Sequence, residues 1–493
     1  MKKKIIVGIV FVLIVIAALI LAGLYILTDT FKSDKELFFE YLSNTNFMEN
    51  ANINKYINIY KNESASNYSE VGNMSFETAS NADNTNVADI QQLLNLKYNV
   101  LRNKNLQQDY ADVTLNTNNE DLITVRYLRD GNTYGIKIEN VLKKYLALEN
   151  KDLKELYSKL GITDSKILPN VIATASIQDL LDIDENQLNI LKSKYGNIIL
   201  NNLSKKNFKK TKNNDNTTTI SLSLTEREFA NIIIQELIAI ENDGNTLNFI
   251  INKAKMLGYS LNADEIINYI QKQIDAIKSN NNINDEHFLT IAITDKGKET
   301  AKIDVTLQYE NNEKSEELNN TKEELYLSID CTQENKMVIL VKDVDSSFML
   351  DISYGYEENK MWENIDIFSL DSQTNTKKDI GKIKHQISLN EKNIVQTATI
   401  SVNSEENQKI QISINDSKSL KQDIQIEKIT NQNAEILNNK TKEELENLKE
   451  AIIKRIYYVY GDRINNFLNS IDKSEKQYES YKDLEILNYH MLE

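Results

Sequence analysis

Residues 5–27 form an unbroken uncharged run directly behind Lys2, Lys3 and Lys4. At 1.5 Å per residue the run is long enough to cross a ~30 Å hydrocarbon core, and only a helix satisfies its backbone there. It outlasts the apolar core of an ordinary cleaved leader and shows no A-x-A site at its polar end. No lipobox cysteine follows, because Cys331 is the only cysteine in the chain. The expectation is a transmembrane signal anchor through residues 5–27. The positive-inside bias then places the N-terminus in the cytoplasm and the chain from about residue 28 onward outside the cell membrane.

Composition narrows the chemistry. One cysteine excludes an intramolecular disulfide, and His287, His385 and His490 stand far apart without a CxxC or HExxH, so no metal or cofactor site is read. A net charge of −16 disfavours nucleic acid as a partner, since affinity for phosphate polyanions rests on clustered Lys and Arg. Neither G-x-S-x-G nor a Walker A loop occurs. Ser470-x-x-Lys473 has the S-x-x-K spacing of penicillin-interacting serine enzymes without the companion elements. Asp182-x-Asp184-x-Asn186 opens like an EF-hand but carries Gln187 where that loop needs glycine. No nucleophile, base and orienter assemble, so the residues favour a protein that is not an enzyme.

The period of the apolar residues changes along the chain. Ser33-x-x-Glu36, Thr225-x-x-Glu228, Asn262-x-x-Glu265 and Thr441-x-x-Glu444 read as capping boxes, and Asn245 as a further cap, each ahead of an apolar stripe at helical spacing. Between about residues 68 and 149 the period is two, with Leu94, Leu96, Tyr98 and Val100 in phase. Ile123, Val125 and Tyr127 are likewise in phase and lead through Asp130-Gly131 to Tyr134, Ile136 and Ile138. Alternation returns from about residue 288 to 429, as in Phe348, Leu350, Ile352 and Tyr354, which is the pattern of an antiparallel sheet with one wet face.

Three features stand out against these patterns. Lys205, Lys206, Lys209, Lys210 and Lys212 cluster around Phe208 ahead of a turn; the plain reading is a solvated hairpin and the functional one is contact with an anionic surface. His385, in phase with Ile383 and Ile387, reads as a hydrogen-bonded core residue. Cys331 reads as a small buried hydrophobe.

Residues 126–162, RYLRDGNTYGIKIENVLKKYLALENKDLKELYSKLGI, resemble a segment of uncharacterised membrane-anchored extracytoplasmic proteins of low-GC Gram-positive bacteria, which have no assigned activity to carry over. The order of sheet, helices and sheet also resembles LolA- and LppX-like lipoprotein carriers. That resemblance implies a curved antiparallel sheet wrapped around helices and able to hold a lipid. The chain departs from it by lacking the lipobox cysteine and by its larger helical block.

The resulting expectation is an α+β chain: an N-terminal transmembrane helix, an antiparallel, curved sheet packed against a helical block, and a long C-terminal helix. Its parts are residues 1–32 (anchor), 33–160 (helix pair and first strands), 161–285 (helical block), 286–440 (second sheet) and 441–493 (terminal helix and polar tail). The function expected is non-catalytic binding of a lipid or cell-wall component; the alternative is an envelope assembly protein acting through protein contacts.

Overall fold

The computed structural model describes residues 33–43, 55–56, 58–59, 66–80, 89–117, 120–151, 153–162, 171–172, 185–256, 259, 261–281, 283–296, 299–310, 322–343, 346–371, 374, 376–390, 392–403, 408–421 and 423–472. Eighteen strands and seven α-helices occur among them. Contacts divide them into two compact units. Unit 1 takes the described parts of residues 1–66, 151–154 and 163–406; unit 2 takes those of 67–150, 155–162 and 407–493.

Unit 2 contains β1 (Asn67–Ser80), β2 (Asp89–Asn103), β3 (Gln108–Thr117), β4 (Glu120–Asp130), β5 (Thr133–Ile138) and β6 (Tyr145–Glu149). These pair antiparallel in chain order. The sheet is completed from far along the chain: β17 (Gln408–Lys421) pairs antiparallel with β1, and β18 (Ala434–Ile436) pairs parallel with β6. Gly131, at φ +59°, makes the tight β4–β5 turn that the sequence marks. A short helix α2 (Leu153–Lys159) follows β6, and α7 (Lys442–Asp472) ends the described chain.

Unit 1 carries α1 (Asp34–Ser43), α3 (Glu185–Asn202), the hairpin β7 (Phe208–Lys212) and β8 (Thr218–Thr225), then α4 (Glu226–Glu241), α5 (Gly244–Met256) and α6 (Ala263–Ser279). Eight strands follow: β9 (His287–Lys296), β10 (Glu299–Glu310), β11 (Lys322–Asp330), β12 (Lys336–Lys342), β13 (Ser347–Glu357), β14 (Lys360–Leu370), β15 (Lys377–Asn390) and β16 (Asn393–Asn403). From β7 to β16 every strand pairs antiparallel with the next, so α4 to α6 are inserted between two strands, β8 and β9, that lie side by side.

The core of unit 1 forms where helices meet that sheet. Phe38 and Phe39 of α1 are 0% exposed and pack edge to face on Phe208, with ring centroids 5.4 and 6.1 Å away. Ile220, Leu222, Ile291, Ile293, Ile303 and Val305 form the floor beneath them. Ile199 and Leu203 at the end of α3, and Phe229 and Ile232 of α4, close its sides. Four capping boxes read from the sequence are formed: Ser33 with Glu36, Thr225 with Glu228, Asn262 with Glu265 and Thr441 with Glu444. The exception is α5, where Asp243 and not Asn245 caps, accepting from the Asn245 amide and the Thr246 hydroxyl.

Two expectations are corrected. The α+β layout of one sheet against a helical block gives way to a strand-dominated chain, because alternation reveals strands but not their partners. Strands β17 and β18 leave the second β-rich stretch to complete the first, and the helices of unit 1 cover only part of its strands. The expected single-pass anchor, and the extracytoplasmic placement that depended on it, also fail to find support. Among the described residues no helix is long and apolar enough to cross a membrane. Even α7, 31 residues long, carries charges throughout. Residues 5–27 themselves lie outside the described residues, as do Asp182, Asp184, Lys473 and His490.

Candidate functional site

The lysine cluster is built as a solvated hairpin. Lys205, Lys206, Lys209, Lys210 and Lys212 are all exposed, while Phe208 in their midst is 7% exposed and belongs to the core. Strand β7 pairs with β8 alone among the described residues. A lysine-rich edge of this kind discourages pairing with another chain. Lys206 pairs with Glu228 at 3.0 Å while still exposed, and Lys205, Lys209, Lys210 and Lys212 are the exposed charges outside that ion pair.

His385 lies where its phase puts it. Its Nδ1 is 3.3 Å from the Tyr56 hydroxyl, the two rings stack at 5.6 Å, and Glu363 sits directly across on β14. Burial pushes the imidazole down from its ordinary value and the Glu363 carboxyl up, against a hydrogen bond from Tyr56 that favours the carboxylate. Ile59, Met361, Ile387 and Ile394 form a buried apolar cluster against which Tyr56 packs. Cys331 is half-buried against Met337, Ile352 and Tyr354; burial and Asp330 push its thiol up to about 11, which disfavours the thiolate.

The sheet of unit 2 is different. One face is closed by its own chain. Leu128, Tyr145, Ala147 and Ala434 are buried there under residues 423–430, which run across the strands as a strap. The Asn103 amide donates to the Ile424 carbonyl at 2.7 Å, the Ile429 amide to Asp130 at 3.1 Å and the Tyr145 hydroxyl to Glu427 at 2.7 Å.

The opposite face is the apolar one that the alternation announces, and none of the side chains in its four rows is buried. Cross-strand register arranges it in rows. One reads Ile414, Met74, Leu96, Leu115, Ile123; the next, beyond Asp416 and Gly72, reads Tyr98, Val113, Val125, Ile138; a third ends Val100, Ala111, Tyr127, Ile136, Leu146. Ile136 is 52% exposed. A last row, Tyr68, Arg102, Asp109, Arg129, Tyr134, breaks the pattern with charge at one end of the field. Gly72 has a specific task here. The Tyr98 ring lies over it so closely that a Cβ would stand 2.4 Å from the ring, which lets the ring lie flat on the sheet.

Sequence reading assigned this face to coverage by helices and missed its charged end. The signal was present: Arg102 continues the phase of Leu94, Leu96, Tyr98 and Val100, and Arg129 that of Ile123, Val125 and Tyr127.

No family model and no curated protein matches the chain. Among solved structures, a mutant of the Rh. blastica porin aligns over 71% of this chain and 98% of its own at 6% identity, with a TM-score of 0.18. Pseudomonas aeruginosa OpdQ aligns over 72% and 96% at 5% identity and a TM-score of 0.15. Transferrin binding protein B of Haemophilus parasuis aligns over 73% and 76% at 6% identity and a TM-score of 0.10. Superpositions this loose carry no argument about fold or activity.

Proposed function

We propose that the chain is a non-catalytic binding module and that the partly exposed apolar face of unit 2 receives the apolar part of a lipid-like ligand. One contrast carries the reading. In unit 1 the apolar side of the sheet is sealed wherever helices lie on it, with Ile291 and Ile293 at 1% and 0% exposure. In unit 2 the sealed side is the strapped one, and the apolar side keeps every residue of its four rows partly accessible. A contiguous apolar surface left open by its own unit is the usual mark of a binding face.

Organic extraction and mass spectrometry of the full chain, followed by titration with a long-chain lipid probe, test the proposal. A stoichiometric lipid, carried through purification or taken up on titration, supports it. A chain that carries none and takes up none overturns it and puts an assembly role through protein contacts in front. The four solvent-facing lysines of the β7–β8 hairpin give the molecule a second proposed contact, with an anionic surface, that does not depend on the apolar face.

A further inference from the structure

The row that ends the apolar face has the composition of a headgroup site. Arg129 is the fixed member: its Nη1 lies 3.2 Å from Asp109, its Nε donates to the Gly131 carbonyl at 3.0 Å, and the guanidinium rests 5.6 Å from the centroid of the Tyr134 ring. Arg102 is held more loosely, its Nε 3.7 Å from the other Asp109 oxygen, and its side chain is 30% exposed. Among the described residues Asp109 is the partner of its guanidinium. In the adjoining row Lys418 and Glu70 neutralise each other at 3.2 Å, with side chains only 13% and 16% exposed. The row therefore holds two guanidinium charges against one carboxylate, a surplus of one positive charge in a chain whose total is −16.

From this row the apolar field extends along the strands. Arg102 to Leu94 on β2, through Val100, Tyr98 and Leu96, covers about 26 Å at the usual rise per residue, which suits a long chain. We infer that the ligand of this face is a long-chain carboxylate, a fatty-acid-like monoanion whose chain runs along the strands across the apolar rows and whose headgroup is met by Arg102 beside the Asp109–Arg129 pair. This rests on the binding role proposed above for the same face. A guanidinium fork matches a carboxylate in two parallel hydrogen bonds. The single surplus charge matches a monoanion, whereas a phosphate monoester would bring nearly two negative charges toward Asp109.

The test is a titration of the full chain with palmitate, with hexadecanol of the same length, with hexadecyl phosphate and with a diacyl phosphatidylglycerol. Palmitate is expected to bind about tenfold or more tighter than the alcohol, the range of a charge-assisted hydrogen bond, and tighter than either phosphate. Arg102→Gln should erase most of that preference, weakening palmitate far more than hexadecanol. Arg102→Lys should keep part of it, and Asp109→Asn should enlarge it. Equal binding of palmitate and hexadecanol overturns the headgroup assignment and leaves the apolar face as a binding surface. Preference for either phosphate overturns the carboxylate. Failure of all four ligands to bind overturns the proposed function itself. An Arg102→Gln chain that binds hexadecanol normally yet keeps the full preference removes Arg102 from the site.

Discussion

The same substitution placed on two sheets separates an open apolar face from a closed one. Ile291 is 1% exposed and lies between Leu222 and Val305, themselves 0% and 3% exposed. Ile291→Asp forfeits roughly 1.5–3 kcal/mol of side-chain burial and adds several kcal/mol for a carboxyl in a dry site, whether it ionises or is forced to stay protonated. The sum approaches the whole stability of a typical domain, about 5–15 kcal/mol. Val125, with Val113 and Ile138 beside it in its row, is partly accessible, so an aspartate there can turn its carboxylate to water. Val125→Asp should then cost about 1 kcal/mol, mostly the poor fit of Asp to a strand. Urea unfolding followed by circular dichroism, and amide exchange resolved over strands β2 to β5 of unit 2 and β8 to β10 of unit 1, give the comparison. Ile291→Asp should lose the exchange protection of unit 1, while Val125→Asp keeps that of unit 2 and weakens uptake of a lipid probe by at least about tenfold. If Val125→Asp unfolds unit 2 as Ile291→Asp unfolds unit 1, the face is dry and packed, and the reasoning that makes it a binding surface fails.

Four further outcomes are expected. Gly355→Ala should lower stability by about 1–3 kcal/mol and shift the emission of Trp362, because a Cβ there would stand 2.5 Å from the indole of the sole tryptophan; an unchanged spectrum and midpoint would contradict the cross-strand packing. Burial raises the Glu236 carboxyl to about 7 and leaves its Oε1 without a hydrogen-bond partner, so folding favours the protonated form and stability is lost as pH rises from about 4.5 toward 7. Glu236→Gln should therefore raise the unfolding free energy from urea titration at pH 8 by about 1–2 kcal/mol after allowance for remaining exposure, and leave it nearly unchanged at pH 4. His385 has the opposite sign: its lowered value means that stability falls as pH drops below the ordinary imidazole range, a loss that His385→Gln should flatten in an acid titration. Neutralising Lys205, Lys209, Lys210 and Lys212, but not the paired Lys206, should weaken binding to anionic liposomes at low salt by up to about 1 kcal/mol per lysine, with the difference vanishing at high salt; equal binding at both salts removes the hairpin from any surface contact.

Local signals in this sequence translate directly into structure. Capping pairs such as Thr225 with Glu228 form because both partners lie within one turn, and the β4–β5 turn forms at Gly131 because glycine tolerates a positive φ. Asn140, Asn216 and Asn335 likewise hold positive φ, so part of the abundant asparagine serves turns. What the sequence does not disclose is long-range pairing. Met74 faces Ile414 across β1 and β17, and Ala434 faces Tyr145 across β18 and β6, yet no residue of those segments encodes its partner. The His385 cluster is half legible: phase turns the imidazole inward, but Tyr56 and Glu363 reach it from a separate segment and a neighbouring strand. The arginine row is legible as two charges in apolar phase on two strands, but which ends those strands bring together depends on the β2–β3–β4 register, which the sequence does not state.

Alternation states that one face of a strand avoids water; it does not state what takes the water's place. Leu222, Ile291 and Val305 are met by Phe38, Phe39 and Phe229, side chains supplied by helices that cap and fold from their own local sequence. Met74, Val113 and Val125 show the same periodicity and the same residue types, yet the chain of unit 2 spends its strap, residues 423–430, on the other side of the sheet, where Tyr145, Asp130 and Asn103 hold it by hydrogen bonds. A sheet stabilised only by packing would gain most by placing that strap over the aliphatic rows, since buried apolar area contributes about 25 cal/mol per Å². Polar anchors fix it instead on the side with fewer aliphatic residues and leave the richer side open. That allocation lowers what folding alone could gain, and a ligand that covers the rows would restore it, so binding and stability should rise together in this unit.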